Sequence, residues 1–247
     1  MSNFTAKMEN LQIIPVAHIR SQFSGKFGIP RQPGLAPSLT ADIVFEEPFR
    51  NPDFIRGLDG VSHIWLLWEF SEFRGKPYSA LVRPPRLGGN KKLGVFATRS
   101  PLRPNPLALS AVQIEEIAAS KEFGYIIKVS GADLMDGTPI YDIKPYIPYT
   151  DCISEAYTSI YPKPETLDIV IYNCKISQTI DNKTLKALEE ILLQDPRPAY
   201  KKEDTGIYKF EFGNLHVEFY VNGKTVFITS LACCNSSLVK SFTPSNG

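Results

Sequence analysis

His63-Ile64-Trp65-Leu66-Leu67-Trp68-Glu69 places five large apolar side chains in seven residues, with no glycine or proline among them. A run this short and this rich in tryptophan, leucine and isoleucine reads as a strand, and its apolarity places it in the interior. Outward from it, Gln12–Ile19, Leu39–Phe45, Leu93–Thr98, Leu107–Ile114 and Tyr125–Ser130 repeat the texture, separated by Gly, Pro and Asn. Between them there is no amphipathic stretch of helical period, so the strand–helix alternation of a doubly wound parallel sheet is missing. The expected fold is mainly β, with a non-Rossmann antiparallel β-barrel over residues 1–155. Proline clusters at 30–37, 84–85 and 101–106 fix φ and remove amide donors, which favours rigid extended loops.

Past Thr150 the texture changes. Leu185, Leu188, Ile191 and Leu192 share one face of a run that opens at Asp181 and stops before Asp195-Pro196, which predicts a helix over 182–194 with Asp181 as its cap. Ile207–Phe212, Leu215–Val221 and Thr225–Leu231 follow as a meander joined by Gly213-Asn214 and Asn222-Gly223 turns. A smaller α+β domain over 156–247 is expected.

The chain has 247 residues, 43% hydrophobic and 21% charged, which excludes a disordered chain or a coiled coil. No stretch is long and apolar enough for a membrane span and the start lacks a secretory pattern, so a cytoplasmic protein is expected. Cys152, Cys174, Cys233 and Cys234 form no C-x-x-C pair, and His18, His63 and His216 have no ligand spacing. Reduced, mostly buried thiols and no metal are expected. Net charge is +1, but Arg74, Lys76, Arg83, Arg86, Lys91, Lys92, Arg99 and Arg103 lie in a 30-residue window without an acid.

Phosphate loops, serine elbows and dinucleotide turns are absent; Gly88–Gly94 is glycine-rich but leads into a strand. Four constellations remain. Arg31 and Gln32 sit in the stiff loop Gly28–Gly34, which reads equally as an ordinary turn after Phe27. His63 heads the apolar strand, where a lone histidine is ordinarily a core residue unless a pocket adjoins it. Arg99 and Arg103 lie four apart in Gly94-Val95-Phe96-Ala97-Thr98-Arg99-Ser100-Pro101-Leu102-Arg103-Pro104-Asn105-Pro106, a rigid loop suited to presenting guanidinium groups to a carboxylate or phosphate. Asp133-Leu134-Met135-Asp136-Gly137-Thr138-Pro139-Ile140-Tyr141-Asp142-Ile143-Lys144-Pro145-Tyr146 joins a turn with exposed amides to a stripe of Asp142, Lys144 and Tyr146 on one strand face.

Together these motifs closely resemble the TrmO (TsaA-like) family, densely over about residues 11–155 and again at Asp195-Pro196-Arg197-Pro198-Ala199-Tyr200. The resemblance implies an S-adenosylmethionine-dependent tRNA methyltransferase on a β-barrel, a homodimer that methylates the exocyclic amine of threonylcarbamoyl-adenosine 3′ of the anticodon. The cofactor positions it implies are Arg31, Gln32, Pro33, His63, Ile64, Arg99, Leu109, Asp136, Gly137, Thr138 and Pro139. In-line methyl transfer needs chiefly positioning, with Asp142 the candidate proton acceptor. The basic window is the expected tRNA-facing surface, although Lys91 and Lys92 read equally as a solvated hairpin tip. Arg103, Asn105, Lys144, Tyr146, Arg197 and Tyr200 are the expected substrate contacts; for the last two the alternative is a structural loop closing the helix. The rival functions are a non-catalytic RNA-binding barrel and a methyltransferase of the same architecture with another substrate.

Overall fold

The computed structural model describes residues 11–84, 91–161, 163, 165–176, 180–198, 201 and 204–233. Its first part holds β1 (Ala17–Arg20), β2 (Thr40–Phe45), β3 (His63–Glu69), β4 (Leu81–Val82), β5 (Leu93–Gly94), β6 (Leu107–Ser120), β7 (Gly124–Ser130) and β8 (Pro139–Pro145). Six of these pair antiparallel in the order β1–β2–β7–β6–β3–β8, and β1 pairs again with β8, closing the ladder. β4 and β5 form a separate two-stranded ribbon.

Strand alternation sorts the side chains. Ile64, Leu66 and Trp68 point inward with Ile19, Ile43, Val112, Ile127 and Ile140. The neighbours Trp65 and Leu67 are only partly buried, so β3 is not interior on both faces as its apolarity suggests. β1 begins at Ala17 because Leu11, Ile13 and Ile14 ahead of it are exposed and Pro15 lacks a donor. The expected strand Leu93–Thr98 stops at Gly94: Val95 to Ala97 form a tight turn, tied back by a bond from Val95 N to Ala80 O at 3.0 Å. β6 runs past its expected end to Ser120. A register shift between Ile114 and Glu116 inserts one residue there, and Glu115 accepts from Ser130 Oγ at 2.5 Å.

The first part ends with α1 (Pro148–Asp151), whose Asp151 accepts from Trp65 Nε1 at 3.0 Å, and the second comprises β9 (Ile169–Tyr172), α2 (Asn182–Leu193), β10 (Tyr208–Phe212), β11 (Leu215–Asn222) and β12 (Thr225–Cys233). The sheet order is β10–β11–β12–β9, with β9 parallel to β12, a strand too short to stand out in the sequence. Asp181 caps α2 through Thr184 N at 2.9 Å, and Ala187, Leu188, Ile191 and Leu192 are buried against the sheet. The second hairpin turn is Gly223-Lys224, since Asn222 already pairs with Thr225. Cys152 and Cys233 are exposed and Cys174 is partly buried, against the expectation of buried thiols. Among the described residues no helix is long and apolar enough to cross a membrane.

The segment between β1 and β2 crosses the expected division of the chain. It sends Phe23, Ala36 and Leu39 into the core that α2 and the second sheet share. Phe23 meets Phe212 at 5.7 Å between ring centroids, and Phe27 stacks on Tyr208 at 6.1 Å. Gly28 sits in the middle of this contact at φ +94°, where an added Cβ would lie 2.7 Å from the Phe210 ring. Only glycine suits both the backbone angle and that approach. Gly28→Ala should therefore cost at least about 1 kcal/mol of stability. Equilibrium urea unfolding checks this, and an unshifted midpoint would show that the Phe210 ring yields freely.

Candidate active site

A cleft of about 890 Å³ opens where β3 and β6 meet the proline-stiffened loops, within the size range of small-ligand sites. Trp65, Leu67, Trp68, Leu107, Leu109 and Ala111 give it an apolar floor, and Phe70 and Phe73 one wall. The residues 29–33, 98–103 and 133–138 contribute the remaining polar walls.

One polar line runs down from the barrel interior. Trp68 Nε1 donates to Ser110 Oγ at 2.9 Å, and Ser110 Oγ donates to Asp133 Oδ1 at 2.6 Å. Burial pushes the Asp133 carboxyl up to about 6, while the Ser110 hydroxyl and the Arg99 charge pull the other way. A second line enters from the far side. Arg99 donates to Gln32 Oε1, and Gln32 Nε2 donates to Arg31 O at 2.5 Å. Arg31 itself donates to the carbonyls of Asp195 at 3.3 Å and Arg197 at 2.7 Å.

The cleft carboxylates Glu69 and Glu72 are paired. Arg74 grips Glu69 through Nε at 3.0 and 3.1 Å, and Tyr141 OH donates to Glu69 Oε2. The Arg74 hydrogen bonds hold the Glu69 carboxyl below the usual carboxylate range. Lys26 pairs with Glu72, and the Lys26 and Lys76 ammonium groups lie 4.7 and 4.8 Å from the Phe73 ring centre.

Of the expected cofactor residues, the cleft gathers Arg31, Gln32, Pro33, Arg99, Leu109 and Thr138, together with the expected substrate residue Arg103. Ile64 is instead sealed in the barrel core, and His63 is exposed beside Ser62 and Tyr146. The amides around Gly137 are not free as expected. Asp136 N donates to Phe23 O, Gly137 N to Ile19 O and Thr138 N to Met135 O, while the Asp136 carboxylate accepts from Ser21 N. Pro139 opposes His18 in the ladder. Asp142 lies outside the cleft, paired with Lys144 Nζ at 2.9 Å. Asn105 is exposed but off the lining, and Tyr146 packs on Trp65 at 5.4 Å between centroids. Arg103 donates to the carbonyls of Thr98 and Ser100, bracing its own loop. Sequence reading passed over Asp133, Ser110 and Glu69 as site residues. The available signal for the first was its place in the same Asp133-x-x-Asp136 motif.

Residues 18–152 match the family described as the tRNA-methyltransferase O N-terminal domain, and residues 170–233 match the TrmO C-terminal domain. The tRNA (adenine(37)-N6)-methyltransferase of Escherichia coli is 38% identical over 207 residues, 81% of this chain and 88% of its own. A Pseudomonas aeruginosa protein named "Putative S-adenosylmethionine-dependent methyltransferase RcsF" is 40% identical over 78% of this chain and 85% of its own. A crystal structure of TrmO from P. aeruginosa superposes with a TM-score of 0.72 at 31% identity, covering 92% of this chain and 99% of that one. The chain belongs to the TrmO family.

Within this TrmO-family chain the C-terminal Asp195–Pro198 segment has a structural role. Asp195 takes the left-handed conformation (φ 49°) that ends α2, and its carboxylate grips Arg197 at Nε (2.8 Å) and Nη2 (3.1 Å). The Arg197 side chain is 3% exposed and also donates to Asp204 O at 3.0 Å. This corrects the expectation that Arg197 reaches RNA: its guanidinium is enclosed by the protein. Tyr200 lies outside the described residues. Arg197→Ala would leave Asp195 without its buried counter-ion and should cost about 3 kcal/mol. Urea unfolding measures the loss, and an unchanged midpoint would show that the Asp195 carboxylate does not depend on this guanidinium.

Proposed function

We propose that this protein transfers a methyl group from S-adenosylmethionine to N6 of adenine 37 in tRNA, the activity that its E. coli relative's name states. The observation that carries the reading is one cleft, in a TrmO-family chain, combining an apolar floor with an arginine and a half-buried carboxylate. S-adenosylmethionine, when bound, supplies an activated methyl group on a sulfonium. Its adenine and thioether carbons call for apolar surface, which Leu67 and Leu109 provide, and its carboxylate calls for a cation, which Arg99 provides. Gln32 holds the Arg99 guanidinium in place, so part of the ordering cost of binding is met before the ligand arrives. The residues present therefore fit the group, and the chain's first contribution to catalysis is positioning and exclusion of water.

The finer reading is a cytoplasmic homodimer whose acceptor is threonylcarbamoyl-adenosine. The motif resemblance supports it, and for the homodimer alone so do Leu109 (53% exposed) and Phe96 (79% exposed), apolar surface that a second copy would cover. For the RNA, the basic window narrows. Arg74, Arg99 and Arg103 spend hydrogen bonds within the protein, whereas Lys76, Arg83, Lys91 and Lys92 present exposed side chains. Arg86 lies outside the described residues. These four exposed cations supply the phosphate attraction.

Nucleoside mass spectrometry of tRNA incubated with the protein and S-adenosylmethionine tests the function directly; the reading requires a methyl group gained on adenosine 37. A non-catalytic RNA-binding barrel would show no saturable affinity for S-adenosylmethionine. Arg99→Ala should weaken that affinity by about 1.5–3 kcal/mol, the range for a lost charge-assisted hydrogen bond, and calorimetry reads it. Reversing the charge at Lys91 and Lys92 should lower affinity for every tRNA alike and reduce the slope against salt by roughly one to two. Filter binding across salt concentrations checks this, and an unmoved slope would place the RNA surface elsewhere.

A further inference from the structure

Three carboxylates line the cleft among the described residues: Glu69, Glu72 and Asp133. Two are committed. Glu69 accepts from Arg74 and Tyr141, and a proton placed there would have to displace an arginine. Glu72 is paired with Lys26 at the rim. Asp133 has no such cation bonded to it. Its Oδ1 accepts from the Ser110 hydroxyl at 2.6 Å, and that hydroxyl is fixed by Trp68 Nε1 at 2.9 Å, so the carboxylate is held in one orientation by a buried neutral donor. Asp142, the sequence's candidate, is paired with Lys144 outside the cleft.

We propose that Asp133 is the catalytic base of the methyl transfer, taking the proton that the acceptor amine must lose. This rests on the function proposed above. The amine nitrogen forms the new N–C bond as the methyl carbon's bond to sulfur breaks, and the bonding pair stays with sulfur. The nitrogen then carries the positive charge, which leaves as a proton to the Asp133 carboxylate, restoring the nitrogen lone pair. One positive charge enters on sulfur and one leaves as the proton, so the step balances without metal or oxidant. A carboxyl raised to about 6 by burial remains ionised at neutral pH and is a better base than an ordinary aspartate.

The charged and titratable groups around it are few. Arg99 faces Asp133 from the 98–103 loop, and Lys26, Arg31, Glu69, Glu72 and Arg103 line the other walls. Arg99 favours the ionised form, and burial opposes it more strongly. Since the folded value lies above the ordinary one, the base function is absent below it and gained as pH rises through about 6.

The test uses the full chain with tRNA whose adenosine 37 is unmethylated, in single turnover from pH 5 to 9. The wild-type rate should show an acidic limb near pH 6. Asp133→Asn should lose 10²- to 10⁴-fold in rate at pH 8 together with that limb, while calorimetry gives S-adenosylmethionine affinity within about threefold of wild type. Ser110→Ala removes a hydrogen bond to the ionised form, so its limb should move to higher pH, a displacement that a merely structural role for Asp133 would not produce. Carbon-13 NMR of labelled aspartate, recorded without cofactor or tRNA, should show one carboxyl titrating near 6 that disappears in Asp133→Asn. The proposal is overturned if Asp133→Asn keeps its rate within threefold, if the acidic limb survives in it, if the Ser110→Ala limb stays in place, or if the variant loses cofactor affinity, which would make Asp133 a ligand. A wild-type protein that methylates no tRNA would instead defeat the function proposed above, and the NMR titration would still report on Asp133.

Discussion

Arg31 joins the two halves of this molecule by donating to the carbonyls of Asp195 and Arg197. Burial works against its charge and Asp195 works for it, so the guanidinium depends on the second half of the chain. Those carbonyls are available because Asp195 takes a left-handed turn at the end of α2 and its carboxylate clamps Arg197 beneath. From Arg31 the order passes to Gln32, and from Gln32 to Arg99 on the opposite wall of the cleft. The C-terminal half thus fixes the shape of a cleft whose floor belongs to the barrel. Removing that half would also leave Phe23, Ala36 and Leu39 without the core they fill.

The closed ladder supplies the other side of the arrangement. Closure leaves each of the six strands paired on both edges, so β3 and β6 form a firm floor. Alternation then brings Leu67 and Glu69 to the cleft on one face of β3 and Trp68 on the other, near the strand's end. A register shift between Leu67 and Trp68 against β8 lies at the same level, a common device where a sheet presents side chains to a site. The 133–138 turn is pinned to the segment after β1 by the Ser21, Phe23 and Asp136 bonds, so Asp133 is held by both the barrel and the crossing loop.

Much of this was legible in the sequence where the signal is local. The β3 limits, the α2 cap and the Gly213-Asn214 turn follow from residue type and period. What was illegible is set by contacts between distant residues. Nothing in Arg31-Gln32-Pro33 announces that its arginine binds carbonyls 164 and 166 residues away. Nothing in the Asp136–Thr138 turn shows that its amides are taken by Ile19, Phe23 and Met135. Spacing selected Asp142 for a polar stripe and passed over Asp133, because a carboxylate beside Leu134 looks like an ordinary turn residue until Ser110 and Trp68 are brought to it.

The same distinction governs charge. Counting along the chain makes residues 74–103 one block of eight cations, yet three of the guanidiniums in it bind Glu69, Gln32 and the Thr98 carbonyl. A guanidinium so engaged gives part of its hydrogen-bonding capacity to the fold, and one matched by a buried carboxylate contributes little net field at a distance. The phosphate attraction proposed for the barrel therefore falls to Lys76, Arg83, Lys91 and Lys92, whose side chains are exposed. The arginines nearer the cleft are held in fixed positions, which suits ligands that must be oriented. On the proposed function, one basic stretch of sequence thus divides into exposed charge for capture and hydrogen-bonded charge for alignment, and the division is made by which acceptors the fold brings within reach.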